Sequence, residues 1–289
     1  MNWQLQEATD IRRLLYSLLI SAIFVFPISA ASVDGIRIHS SSAGAAKQVV
    51  ILVHGWTCDS SSWAAQTPSL SKNYRVVTLD LPGHGESGSP AEGKFSIDLF
   101  ARAVEAVRSE SNAEKVVLVG HSMGAPVIRQ YARLYPQHVA ALVAVDGPLV
   151  FPPAPAGAPQ RGQAPVPPQF TGPEGLKNRE TMIRGMFTPQ TPQALQQQIL
   201  AMMLKAPEAT AAGAMAAMFD PAIRKDDVMP MPALAIYAGT SPLPSADSMK
   251  KILPNFEVTQ VAGTGHFVMM EKPDEFNRLL TGFLAKIKF

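Results

Sequence analysis

From Val33 to about Gly147, unbroken apolar runs alternate with segments whose apolar positions recur at helical spacing. "QVVILVHG" (Gln48 to Gly55), "YRVVTLDLPGHG" (from Tyr74), "KVVLVGHS" (Lys115 to Ser122) and "VAALVAVDG" (Val139 to Gly147) are rich in β-branched residues, the pattern of strands buried on both faces. Between them, "SSWAAQTPSLSK" reads as a helix disturbed by Pro68, and "SIDLFARAVEAVRSE" as a helix with Ser96 as its N-cap. "GAPVIRQYARLYPQHV" reads as the next helix, while "GIRIHS" alternates as an early edge strand would. Strand alternating with helix predicts a parallel sheet with helices on both faces.

The rhythm breaks at Pro148. Nine prolines lie between Pro148 and Pro173, too many for a strand or a long helix. Two helical patterns follow, "TPQALQQQILAMMLKAP" and "ATAAGAMAAMFDP", and eight of the chain's 13 methionines fall between Met182 and Met231. The α/β rhythm resumes at "PALAIYAG" (Pro232 to Gly239), with a short helix near Ser245 to Lys251, the strand "FEVTQVAG" and a last helix "PDEFNRLLTGFLAKI". Structureless loops of about 80 residues are uncommon inside compact domains. Residues 148–231 therefore read as a helical cap inserted into a core made of residues 31–147 and 232–289.

Composition narrows the function. A net charge of +2 is too small to point to nucleic acid or a polybasic membrane partner. One cysteine, Cys58, allows neither an internal disulfide nor a multi-cysteine metal site. Arg12 and Arg13 precede "LLYSLLISAIFVF", and "PISAA" supplies small residues after it. This is the layout of a secretory leader, shorter than the roughly 20 apolar residues of a span. Residues 1–30 are thus expected to direct export to the periplasm or beyond, with no stable membrane insertion after their removal. No dinucleotide fingerprint, phosphate loop or metal cluster appears, so neither a cofactor nor a metal is implied. Oligomeric state is not legible.

The candidate chemistry centres on "LVGHSMGAP" (Leu118 to Pro126), where a Gly-x-Ser-x-Gly pentapeptide lies between a strand and a helix. In that context the serine occupies a sharp, strained turn that lifts its hydroxyl above the carboxyl edge of the sheet, and side chains at Gly120 or Gly124 would collide. Ser122 is the expected nucleophile. A serine hydroxyl needs a base at neutral pH. Of the six histidines, His266 in "AGTGHFVMMEKP" follows the last strand through a glycine-rich loop that can bring its ring over Ser122, whereas His121 is expected to point away from the turn.

These residues resemble the α/β-hydrolase superfamily. "VILVHGW", "LDLPGHGES", "VGHSMG" and "GTGHF" occur in the family's order over nearly the whole chain beyond the leader. The resemblance implies an eight-stranded, mostly parallel sheet, a cap after the sixth strand, and a serine, acid, histidine order along the chain. It also implies an oxyanion hole from the backbone N–H groups of Trp56 and Met123. The acid departs from the usual pattern, because Pro242 stands where a seventh-strand aspartate would fall. Asp146, ending "LVAVDG", is the expected acid, with Asp247 the alternative. Asp80 is expected to organise its loop.

The expected activity is hydrolysis of carboxylic esters with small to medium hydrophobic acyl groups, contacted by Trp56, Met186, Phe187 and Phe267. Arg184 would pair with a substrate anion or hold the lid to the body. A lactonase or a cofactor-free haloperoxidase would use the same residues, and a weakly catalytic binding protein would keep the pocket without efficient turnover.

Overall fold

A computed structural model describes residues 31–91, 93–150 and 169–289. The proposed leader, and residues 151–168 of the proline-rich stretch, lie outside the described residues.

A short ladder opens the chain, where β1 (Ser32–Val33) pairs antiparallel with β2 (Ile36–Arg37). The main sheet then gathers β3 (Ser40–Ala43), β4 (Val49–Val53), β5 (Arg75–Leu79), β6 (Val116–His121), β7 (Val139–Val145), β8 (Ala233–Ala238) and β9 (Phe256–Val261). Their order across the sheet is β3-β5-β4-β6-β7-β8-β9; β3 runs antiparallel to β5 and every other pairing is parallel. Every residue of β4, β6 and β8 is buried, as their apolar runs predict. β9 lies at one edge, and its exposed positions carry Glu257, Val258 and Gln260.

Two expectations need correction. The sheet has seven strands among the described residues, not eight, because the first strands close on themselves. Asp34 and Gly35 both adopt positive φ, 52° and 78°, as a tight hairpin turn requires, so β2 folds back on β1. The edge strand is correspondingly Ser40–Ala43, later than the alternation in "GIRIHS" places it. The second correction concerns residues 61–72. They form a 3-10 turn (Ser60–Trp63) and the single helical turn α1 (Thr67–Leu70), with Pro68 in its first turn. Pro68 is accommodated there because the amide it lacks would have had no helical partner.

Helix α2 (Ile97–Glu110) starts as predicted, with the Leu99 amide donating to Ser96 Oγ at 3.0 Å. It packs along α3 (Gly124–Leu134). Three cap helices separate β7 from β8: α4 (Pro173–Arg184), α5 (Gln193–Leu204) and α6 (Glu208–Phe219). The sequence reading marked α5 and α6 but not α4, a mostly polar segment that buries only Gly175, Arg179 and Ile183. After β8 come α7 (Ala246–Ile252), α8 (Val268–Glu271) and α9 (Pro273–Leu284), with α9 against α1 and α8. Among the described residues no helix is long and apolar enough to cross a membrane.

The strand order locates the crevice. From β4 the chain steps to one side, to β5, then returns to the other side at β6. Loops leaving the carboxyl ends of β4 and β6 therefore diverge, and a cleft opens between them, the place where open α/β sheets bind ligands.

Candidate active site

Ser122 follows directly on β6 with φ of 51°, a left-handed backbone that a non-glycine residue adopts only at a cost of roughly 1–3 kcal/mol. The Ser122 amide donates to Val145 O at 2.9 Å, and the Ala125 amide returns to Ser122 O at 3.0 Å. The flanking glycines are sterically required. A Cβ on Gly120 would lie 2.3 Å from Gly124 O, and one on Gly124 would lie 2.5 Å from Val53 O of β4. The elbow thus pins α3 against both strands beneath it, and the positive end of α3 faces the serine.

At the end of the neighbouring strand β7, Asp146 also takes a left-handed backbone, with φ of 44°. Its Oδ2 accepts a 2.6 Å hydrogen bond from His266 Nδ1, and its Oδ1 accepts one from the Ala238 amide at 2.9 Å. The Asp146 amide donates to Ile236 O at 2.9 Å, so β8 holds the residue from both sides. Burial pushes the Asp146 carboxyl up, but the bond and charge of His266, the Ala238 amide and the Ser241 hydroxyl outweigh it and leave the group below the ordinary carboxylate range. A carboxylate accepting from Nδ1–H leaves the lone pair of the imidazole on Nε2. Asp247, the alternative acid, stands exposed in the first turn of α7.

His121 has a role that its sequence position does not announce. It lies beneath the histidine loop, where its Nε2–H donates to His266 O at 2.9 Å and the two ring centroids are 4.8 Å apart. Burial, and secondarily the neighbouring His266, push its pKa down to about 3, so it braces the loop as a neutral ring. Phe267 packs against both rings, with centroids 5.2 Å and 5.6 Å away.

Strands β4 and β6 run in register, Val53 opposite Gly120, so the loops holding Trp56 and Met123 leave the sheet side by side. Among the described residues neither amide donates to a backbone carbonyl, which leaves two N–H groups beside the elbow. His54 steadies the first of these loops. Its Nδ1–H donates to Gly55 O at 2.8 Å and its Nε2 accepts from the Leu81 amide at 2.9 Å, roles suited to a ring that burial keeps neutral. Asp80 organises the adjoining loop as expected, accepting from the amides of Ser60 (2.7 Å) and Glu86 (2.9 Å).

The expected substrate contacts divide. Met186 joins Asp146, Gly185, Thr240, Ser241 and His266 around a cavity of about 240 Å³. Phe187 is half-buried against the core. The Trp56 indole is buried, donates to Ala211 O of α6 at 2.8 Å and meets Phe170 at 5.0 Å, so its side chain ties the cap to the core. Phe267 is fully buried beneath the histidines, so it belongs to the support of the site and not to its opening. Arg184 pairs with Glu180 of its own helix at 2.6 Å, and among the described residues no bond from it to the body is seen. Among the described residues no three His, Cys, Asp or Glu side chains converge as metal ligands would. Sequence reasoning missed Glu271, which binds the amides on either side of His266. Its only sequence signal is an acid five residues beyond the histidine.

Comparison with known proteins agrees with this architecture. A dihydrolipoyllysine-residue acetyltransferase component of an acetoin cleaving system from Pseudomonas putida is 31% identical over 248 residues. The match covers 82% of this chain and 63% of that protein, so the chain spans less than two thirds of this relative's length. A Haemophilus influenzae protein provisionally named an esterase/lipase is 28% identical over 271 residues, covering 90% of this chain and 91% of that one. A thermophilic esterase from Thermogutta terrifontis superposes with a TM-score of 0.72 at 24% identity, over 89% of this chain and 96% of that one, a likeness of fold. The sequence model of the alpha/beta hydrolase family matches residues 50–279, from β4 to α9 and across the whole site. With that match, and with a serine elbow, a strand-end carboxylate and a loop histidine on a mostly parallel sheet, this chain belongs to the alpha/beta hydrolase family.

Proposed function

We propose that the protein hydrolyses carboxylic esters with small to medium hydrophobic acyl groups through an acyl-enzyme. The observation that carries this reading is the 2.6 Å bond from His266 Nδ1 to Asp146, in register with a serine held at φ 51°. Ser122 Oγ attacks the ester carbonyl carbon while His266 Nε2 takes its proton. The carbonyl oxygen becomes an oxyanion, met by the amides of Trp56 and Met123, where each such donor contributes about 3 kcal/mol. Asp146 stabilises the imidazolium and keeps its orientation. As the intermediate collapses, the C–O bond to the alcohol breaks and His266 returns the proton to the leaving oxygen. Water, deprotonated by the same Nε2, then releases the acid and restores Ser122.

The substrate class is supported by the cavity beside His266, which Met186 of the cap lines together with Thr240 and Ser241, methionine being an adaptable apolar residue. The same reading includes export through residues 1–30, for which paired arginines ahead of a short apolar run are the support. Cleavage of that segment on expression in a bacterium, read as the mass of the mature chain, tests it.

Turnover of p-nitrophenyl acetate and butyrate by the purified protein tests the catalytic reading. Ser122→Ala is expected to reduce kcat by at least about 10⁴-fold and to abolish labelling by a fluorophosphonate probe. Retention of turnover in that variant would refute the serine mechanism.

A further inference from the structure

Three consecutive amides around His266 are each held from outside their loop. The Gly265 amide donates to Glu271 Oε2 at 3.0 Å, the Phe267 amide to Glu271 Oε1 at 3.3 Å, and the His266 amide to Met186 O at 3.0 Å. The carboxylate is also bound to the cap segment that carries Met186. Thr191 Oγ1 donates to Glu271 Oε2 at 2.8 Å, and the Thr188 amide donates to Thr191 Oγ1 at 3.0 Å. The segment from Met186 to Thr191 joins α4 to α5, so it is the stem on which two cap helices turn. Contact between stem and loop is close enough to demand glycine, since a Cβ on Gly265 would lie 2.5 Å from Met186 O. One carboxylate therefore accepts from two loop amides and one cap hydroxyl, while the cap backbone takes the remaining amide.

We propose that Glu271 is a positioning residue that couples the cap stem to His266, so that the place of the base depends on the place of the cap. The inference rests on the reading of His266 as the base. Two carboxylate oxygens can accept all three donors at once, which no neutral side chain of that length can do. In a glutamine the amide nitrogen is itself a donor and would face a loop N–H in either orientation, Phe267 at one position or Gly265 at the other. His266 would then lose one of its two backbone clamps, while Asp146 and His121 would still hold the ring and its carbonyl. The hydrogen bond through Thr191 carries the stem's contribution. Removing its hydroxyl leaves the charge of Glu271 and both loop amides intact, and so isolates the coupling from the clamp.

The test uses the full-length protein with two variants, Glu271→Gln and Thr191→Val, and two readouts. With p-nitrophenyl butyrate, Glu271→Gln is expected to lower kcat about 10- to 100-fold with KM within about threefold, as a displaced base would do. Hydrogen exchange is expected to rise in Thr191→Val at both residues 186–191 and residues 263–268, with the exchange of β6 unchanged. Faster exchange at 186–191 alone would overturn the coupling. So would a Glu271→Gln enzyme with wild-type kcat, or one whose loss of activity tracks its unfolded fraction. Failure of the parent reading looks different: wild type would not turn over esters, yet the exchange experiment would still report whether stem and loop move together.

Discussion

Ser122 and Asp146 are the next residues beyond the paired ends of β6 and β7, and both hold a backbone with positive φ. Bent strand ends carry both residues off the sheet at its carboxyl edge, where a straight continuation would leave their side chains side by side on one face. Asp146 tolerates this well, because a short polar side chain is among the few that visit the left-handed region. The substitution Asp146→Asn therefore keeps the backbone and tests the charge. The Ala238 amide donates to Oδ1, so the asparagine must present its oxygen there and its NH₂ to His266 Nδ1. That arrangement forces the proton of the ring onto Nε2, where it cannot accept one from Ser122. A loss of about 10⁴-fold in kcat is expected, measured with p-nitrophenyl butyrate. Asp146 also predicts a pH dependence of stability. Its folded pKa is lowered, so its contribution is fully present above the unfolded carboxylate value of about 4 and is lost as pH falls through the folded value. The gap in melting temperature between wild type and Asp146→Asn should therefore shrink below pH 4, and a gap that stays constant to pH 2 would contradict the assignment. At this scale Ser122 was legible because its pentapeptide encodes a steric demand. His121 was not, because adjacency in sequence does not reveal that its ring reaches the carbonyl of a residue 145 positions away.

The elements were legible where one physical constraint dominated. Strands β4, β6 and β7 are apolar runs with no helical alternative of that length, and α2 carries its own cap in Ser96. Those that escaped were settled by partners. The first strands pair with each other across Asp34 and Gly35, and α4 is polar enough to look like loop until α5 packs on it. The elbow shows how far an element depends on contact. Gly124 begins α3 and lets its backbone rest on β4, with no room for a methyl group beside Val53 O. Gly124→Ala must push α3 off the strand or tilt its first turn, which carries Met123. A destabilisation of about 1–3 kcal/mol is expected, together with loss of ester turnover beyond that explained by unfolding. A thermal melt run beside kcat checks both, and an alanine variant with unchanged melting temperature would show that α3 has slack the packing denies.

Across the whole molecule, directed contacts join the core and the cap, and three side-chain bonds are among them. Trp56 binds Ala211 O, Thr210 Oγ1 donates to Gly83 O at 2.8 Å, and Thr191 reaches Glu271. Two of these three land on loops that follow β4 and β5, so the cap is fastened over the crevice opened by the strand order. The parallel strands lie buried beneath and do not depend on those bonds. Fastening and folding should therefore separate experimentally. Thr210→Val preserves shape and burial but leaves the Gly83 carbonyl unpartnered, a cost of about 1–3 kcal/mol confined to the junction. Limited proteolysis is expected to cut faster within residues 170–220, while the melting of the sheet shifts by less than that of Gly124→Ala. If the cap instead folds as one cooperative unit with the sheet, the two variants will lose melting temperature in proportion to their free-energy costs and no early cut will appear, because opening the cap alone would then cost as much as unfolding the core.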